Sequence, residues 1–236
     1  MADETRIPLH GHVQVRVDSR SGKVEVVCEA RSDLAFDGAP GKGPAVTIEG
    51  REVRVRGGSR SVSLRCPAGT DVVVGTLSGS VTVMGRAGSV VVSTTSGSIS
   101  VDEALSTDLR SMSGRISAGR VAGEFRAKCG SGATSATHAG RADVATMSGS
   151  VRLEDVTGAV RARSVSGTVE VSSAGREAVS IHTVSGGVTV RLPRDARPNP
   201  RLRTVAGRAL VRIPEGDGVA IAVSSVSGRV ELAPLP

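Results

Sequence analysis

Aromatic residues are nearly missing from this 236-residue chain: Phe36 and Phe125 are the only rings, and there is no Tyr and no Trp. A core that cannot draw on rings for buried area must be assembled from Val, Leu, Ile and Ala, which suits thin, regular layers. The same shortage leaves nothing on which a sugar ring or an unpaired base could stack, which disfavours carbohydrate processing and single-strand nucleic-acid binding. Cysteine is also scarce. Cys28, Cys66 and Cys129 are odd in number, far apart and without CxxC spacing. That argues against a disulfide framework or a zinc site and fits a reducing compartment. No stretch approaches 18 apolar residues, so no transmembrane helix is expected. The opening MADETRIPLHGHVQVRV lacks the apolar core of a secretion signal, which predicts a cytoplasmic chain unless an export signal has been trimmed.

Lysine is rare too, at Lys23, Lys42 and Lys128, while the other basic residues are arginines. The net charge of +7 and pI of about 10.5 permit an anionic partner without requiring one. Hydrophobic residues make up 39% of the chain, enough for a folded core.

What the chain has in abundance is one phrase. TMSGSVRL (146–153), SVSGTVEV (164–171) and TVSGGVTV (183–190) are copies of it. With its glycine as position zero, the phrase recurs at Gly79, Gly97, Gly114, Gly132, Gly149, Gly167, Gly186, Gly207 and Gly228, spaced 17 to 21 residues apart. Positions +2 and +4 are mostly β-branched or aliphatic, as in Val81/Val83, Ile99/Val101 and Val169/Val171. Alternation of this kind marks a strand. A weaker echo midway between phrases divides each unit of about 18 residues into two strand-and-turn halves. Identical phrases one unit apart require identical neighbours, which predicts an all-β, single-stranded parallel β-solenoid with each coil stacked on the last. The general preference of parallel crossovers predicts a right-handed coil.

Within the phrase, the apolar residues at −2, +2 and +4 share one parity and are expected in the core. Those at −2 are Leu77, Met112, Met147, Val165, Val184, Val205 and Val226. Ser at −1 and Ser or Thr at −3 should form outward or corner-facing hydroxyl rows. The glycine should occupy a bend that excludes a side chain or needs positive φ. Nine Ser-Gly pairs cannot all be nucleophiles, and no glycine precedes the serine as a nucleophile elbow requires.

Two places break the rhythm. KCGSGATSATHAG (128–140) puts small or polar residues at core positions and should be the thinnest rung. RLPRDARPNPRLR (191–203) places three prolines among Arg191, Arg194, Arg197, Arg201 and Arg203. Proline cannot donate to a ladder, so this segment should leave the sheet as a basic loop. These five arginines are the candidate anion- or partner-binding residues. Residues 1–45 should cap an open end, with 46–236 forming the solenoid of one continuous domain. At the other end, two prolines in APLP (233–236) should stop the ladder.

Other candidates are weaker. The carboxylate pairs Asp102–Glu103 and Glu154–Asp155 read as solvated residues of inter-strand turns. His10 and His12 make two ligands at most, which is not a metal site. His138 and His182 are isolated in sequence, and His182 should lie at the surface beside the Thr183 corner. No catalytic, cofactor or metal residue is expected, and no helix-turn-helix or RNA-recognition pattern appears.

The run SLRCPAGTDVVVGTLSGSVTV (63–83) and the serial T/S-x-S-G-x-V-x-V phrases after it resemble a bacterial adhesin-named family of unknown function, the toast-rack β-solenoid domain. The resemblance covers nearly the whole chain. It implies a parallel β-helix without established catalytic residues, sometimes encoded near or fused to cell-envelope stress proteins. By repeat length and compartment the chain also resembles the bactofilins, which polymerise as β-helical filaments. The expected function is thus a non-enzymatic scaffold that binds a protein partner. The alternatives are self-assembly into a filament or oligomer, and anion binding through 191–203 at an anionic surface.

Overall fold

A computed structural model describes residues 4–8, 13–37 and 45–235, and His10 and His12 lie outside them. The chain divides into two compact units at Gly119/Arg120. Among the described residues every regular element is a strand, and most of the pairing is parallel.

The N-terminal unit contains β1 (Glu4–Pro8), β2 (Gln14–Ser21), β3 (Val24–Glu29), β4 (Asp33–Asp37) and β5 (Ala45–Glu49). These are followed by β6 (Glu52–Gly58), β7 (Val62–Pro67), β8 (Asp71–Ser78), β9 (Val81–Ser96) and β10 (Ile99–Ser113). Strand β11 (Ile116–Ser131) contains the division point. The C-terminal unit continues with β12 (Thr134–Ser148), β13 (Val151–Val156), β14 (Val160–Ser166), β15 (Val169–Ser173) and β16 (Val179–Ser185). It ends with β17 (Val188–Leu192), β18 (Asn199–Val211) and β19 (Ala220–Pro234).

Equivalent phrase positions stack in register. Ile99 pairs with Val81 and Val101 with Val83 in one unit, while Val151 pairs with Val169 and Val160 with Val179 in the other. Each rung therefore meets chemically identical neighbours, as the repetition requires. The +2 and +4 residues are buried on one arm; Val81, Val83, Val169 and Val171 are fully inaccessible. A second arm buries Val90 and Val92 in β9, Leu109 in β10, and Val179 and Ile181 in β16. Each such side chain contributes about 1.5–3 kcal/mol when fully buried.

The parity assignment across the glycine is overturned. Leu77, Met112, Met147, Val165, Val184, Val205 and Val226 are all exposed, whereas the −3 hydroxyls Thr76, Thr94, Ser111, Thr146, Ser164, Thr183 and Ser225 are buried at 5–7% exposure. The period-2 rule holds within a strand, but −3 and +2 lie on opposite sides of a corner that resets the phase. The hydroxyls of Thr76, Thr94, Ser111, Thr146 and Ser164 have no hydrogen-bond partner among the described residues, whereas others bond across the corner. Thr183 Oγ1 donates to the Ser185 carbonyl (3.3 Å), Ser225 Oγ to that of Ser227 (3.2 Å), and Ser19 Oγ to that of Ser21 (3.4 Å). In the 128–140 segment, Cys129 takes this buried position, and Phe125 on the same strand is the largest fully buried side chain.

The corner glycines behave as the phrase requires. Gly97, Gly114, Gly132, Gly149, Gly167, Gly186 and Gly228 have φ between 130° and 159°. A Cβ on Gly149 or Gly167 would collide with the carbonyl oxygen of the glycine one rung earlier. Gly22 belongs to this column, since a Cβ there would meet the backbone of Arg60, the corner residue of the β6–β7 rung. Among the described residues no parallel rung lies beyond the β6–β7 rung that contains Arg60.

Both units contain a rung out of chain order. In the N-terminal unit, β2 lies between β6 and β8, and β3 between β7 and β9. Residues 14–29 of the expected cap thus form an internal rung. Antiparallel strands run along the outermost rung: β5 on β6, β4 on β7, and β1 on β4. In the C-terminal unit, β19 pairs with β16 and β17 on one side and β18 on the other. The last strand of the chain is therefore not the last rung, and APLP does not stop the ladder as expected. Pro234 is itself paired with Leu192, and the Leu235 N–H donates to the Leu192 carbonyl (2.7 Å).

Candidate functional site

The stacking turns each exposed phrase position into a row. On the C-terminal unit, Met147, Val165, Val184, Val226 and Val205 lie on successive rungs, exposed by 67, 49, 49, 50 and 84%. At the strand spacing of about 4.8 Å, these five side chains form a solvent-facing apolar stripe about 20 Å long. A serine row runs beside it through Ser148, Ser166, Ser185 and Ser227, broken by Ala206 on β18. Two of these hydroxyls bond to backbone: Ser166 Oγ donates to the Met147 carbonyl and Ser185 Oγ to that of Val165, each at 3.5 Å. Neither bond recruits a base, so the Ser-Gly pair is a corner element here. In the N-terminal unit, Leu77, Thr95 and Met112 form a shorter version of the stripe.

The stripe reaches a shallow cleft of about 260 Å³ lined by Thr183, Arg203, Thr204, Val205, Ser224 and Val226. This is below the usual volume of a small-molecule pocket. His182 stands on the neighbouring surface, with Nδ1 2.5 Å from Ser224 Oγ and Nε2 3.4 Å from Ser180 Oγ. Stacking also gives His138 a partner, with Nδ1 2.9 Å from Asp155 Oδ2 one rung away.

The five candidate arginines are dispersed, and the expected loop is largely a strand. Arg191 lies in β17, 3.9 Å from Glu170 Oε2. Arg194 and Arg197 lie in the turn between β17 and β18, where Arg194 Nε donates to the Leu235 carbonyl (3.5 Å) and Arg197 Nη1 to that of Ala196 (3.2 Å). Arg201 and Arg203 are exposed on β18 itself. The prolines predict a loop, but Pro200 occupies an edge rung, where a missing N–H costs no ladder bond.

The carboxylate pairs also lie in strands rather than turns. Asp102 lies at a register shift in β10 between Val101 and Glu103, and its Oδ2 accepts from the Gly85 N–H (3.3 Å), while Glu154 and Asp155 are exposed in β13. Among the described residues, no group of three or more metal-ligating side chains is brought together, and no helix is long and apolar enough to cross a membrane.

Sequence reasoning missed one constellation. Cys28 and Cys66, 38 positions apart, face each other in register on β3 and β7, buried, with their sulfurs 3.5 Å apart in a hydrogen bond and not joined by a disulfide. The hydrogen bond to Cys28 and burial both push the Cys66 thiol up, so Cys66 keeps its proton. The signal was available: both cysteines sit four residues after the apolar residue that opens a strand, Val24 and Val62.

Fold and surface together define a stacked, mostly parallel β protein of solenoid-like repeats that displays rows of side chains. The chain belongs to the Toastrack DUF4097 family, whose model it matches over residues 52–213. It is similar in fold to a "putative adhesin" from Parabacteroides distasonis ATCC 8503, with 11% identity, 98% of this chain and 97% of that one covered, and a TM-score of 0.56. A "putative adhesin" from Bacteroides fragilis NCTC 9343 matches at 8% identity over 100% and 97% of the two chains, with a TM-score of 0.48. No curated protein matches the chain.

Proposed function

We propose that the protein is a non-enzymatic scaffold that binds another protein side-on through the stripe Met147, Val165, Val184, Val226 and Val205. The observation that carries this reading is the exposure of an apolar residue at the same corner position on five successive rungs. Such a position gains nothing from the core, and contiguous exposed apolar surface marks interaction sites. A stripe of this length is small against the roughly 1,600 Å² of a standard interface. The partner therefore also covers the serine row, presenting an apolar strip rimmed by hydrogen-bonding groups. The adhesin name of the Parabacteroides distasonis neighbour supports a binding role, as does the link to cell-envelope stress proteins that the family resemblance implies.

The test compares affinity capture from native cells by the wild-type chain and by the double variant Val165→Asp/Val184→Asp. Both positions are exposed, so the variant should keep the wild-type β-type circular dichroism. A protein retained by the wild type and lost with the variant is the expected result. Identical capture by both proteins overturns the reading.

A further inference from the structure

The C-terminal unit ends its ladder on β18, and that rung is unfinished. Among the described residues β18 pairs with β19 alone. Its inward positions Pro200, Leu202, Thr204 and Ala209 stand in register with Ile221, Val223, Ser225 and Val230, which are 0, 2, 5 and 1% exposed. On β18 the same positions are half-buried or exposed. The core is thus open along this edge, and one more strand would close it. The N-terminal unit shows what closure looks like, with β5 and β4 laid along its outermost rung and Leu34 and Ala35 fully buried.

The backbone of β18 is poised for such a strand. The Asn199 N–H donates to the Val219 carbonyl (2.9 Å), and the Arg212 N–H donates to that of Leu232 (2.8 Å). Successive residues of a strand direct their N–H and C=O to alternate sides. On the first arm, Leu202 and Thr204 therefore point theirs away from β19, and on the second arm Ala209 and Val211 do the same. Pro200 has the outward phase and no N–H to leave unpaired.

Charge selects what can dock. Residues 191–212 contain seven arginines and a single acid, Asp195. Arg201, Arg203 and Arg208 are exposed on β18, and none of them has an ion pair among the described residues. A second copy of β18 would set arginine beside arginine, and like charges on adjacent strands are destabilising. The features that reject self-pairing accept the opposite sign.

We propose that the open edge of β18 is a docking site for an extended acidic segment of another protein, which adds to the ladder as a further strand. Acidic residues at every second position lie beside Arg201 and Arg203, and the apolar residues between them close over Leu202. Main-chain bonds supply affinity and the alternating side chains supply selectivity, as in other strand-addition complexes. The site is distinct in chemistry from the apolar stripe: it needs backbone donors and positive charge, and the stripe needs neither.

The probe is a labelled nine-residue peptide of alternating Glu and Val, compared with a Lys/Val peptide and with the Glu/Val peptide N-methylated at alternate residues. Binding is read by fluorescence anisotropy, and its location by amide hydrogen exchange. The Glu/Val peptide should bind and slow exchange at Leu202, Thr204, Ala209 or Val211, while neither control does. Arg201→Glu/Arg203→Glu should weaken binding by about tenfold or more, the scale of two exposed ion pairs replaced by repulsion. Both side chains are exposed, so this variant should keep the wild-type circular dichroism. Equal binding of the N-methylated peptide shows mere charge attraction and overturns the proposal. So does binding without protection of β18, or concentration-dependent protection without peptide, which assigns the edge to a second copy.

Discussion

Gly186 and Gly187 are chain neighbours of identical chemistry, yet the structure gives them opposite tolerance to a methyl group. Gly186 has a φ of 130°, and a Cβ there would collide with the Gly167 carbonyl one rung earlier. Its N–H donates to the Ser227 carbonyl at 3.2 Å, so it is held between two rungs. The φ of Gly187 is not positive, and nothing lies within 4 Å of where its Cβ would be. For Gly186→Ala, a side chain in this glycine-only region of backbone space costs about 1–3 kcal/mol. Displacing the Gly167 carbonyl loosens a ladder bond worth about 1 kcal/mol. The expected loss is about 3 kcal/mol, a large share of the roughly 5–15 kcal/mol that holds a typical domain together. Gly187→Ala should stay within about 0.5 kcal/mol of the wild type. Urea unfolding followed by far-UV circular dichroism reads both variants, with the midpoint compared at a shared slope. Losses that agree within about 0.5 kcal/mol would refute the stacked-glycine corner, because its positive φ and the rung below are what distinguish the two positions.

Other outcomes follow from the same geometry. Met147→Ala should change stability by less than about 0.5 kcal/mol, whereas Leu153→Ala, 1% exposed six residues later, should cost about 2–5 kcal/mol in the same assay. Thr183→Val should lose about 1 kcal/mol with its bond to the Ser185 carbonyl, while Thr146→Val, whose buried hydroxyl has no partner, should be neutral or stabilising. Thiol labelling in native buffer should be slow at Cys28, Cys66 and Cys129, which are 4, 0 and 4% exposed, and fast in denaturant. Burial also raises the Cys129 thiol, which keeps the reactive thiolate scarce at neutral pH.

Much of the architecture was legible because the repeat constrains neighbours. Once Val169 and Val171 follow Val151 and Leu153 at a fixed interval, the only economical partner for each strand is its own copy, and the structure pairs those residues in register. The corner was misread because periodicity belongs to a continuous strand. Counting back from Val151 across Gly149 put Met147 in the core, but the bend shifts the phase and leaves Met147 exposed and Thr146 buried. The arginine segment was misread for a related reason. Proline forbids a ladder bond only where a partner strand waits on its N–H side, and sequence does not say which rungs are edges.

By itself the sequence determined the element type, the stacking of like on like, the position of the bends and the scarcity of rings in the core. All of these rest on local patterns repeated at nearly constant spacing. Only the tertiary structure decided the order of the rungs: β2 and β3 inside β6 and β7, and β19 inside β18. Near-identical rungs are nearly interchangeable in local energy, so chain order does not dictate stacking order. That exchange places Cys28 against Cys66, buries β19 and leaves β18, with Arg201 and Arg203, on the open edge.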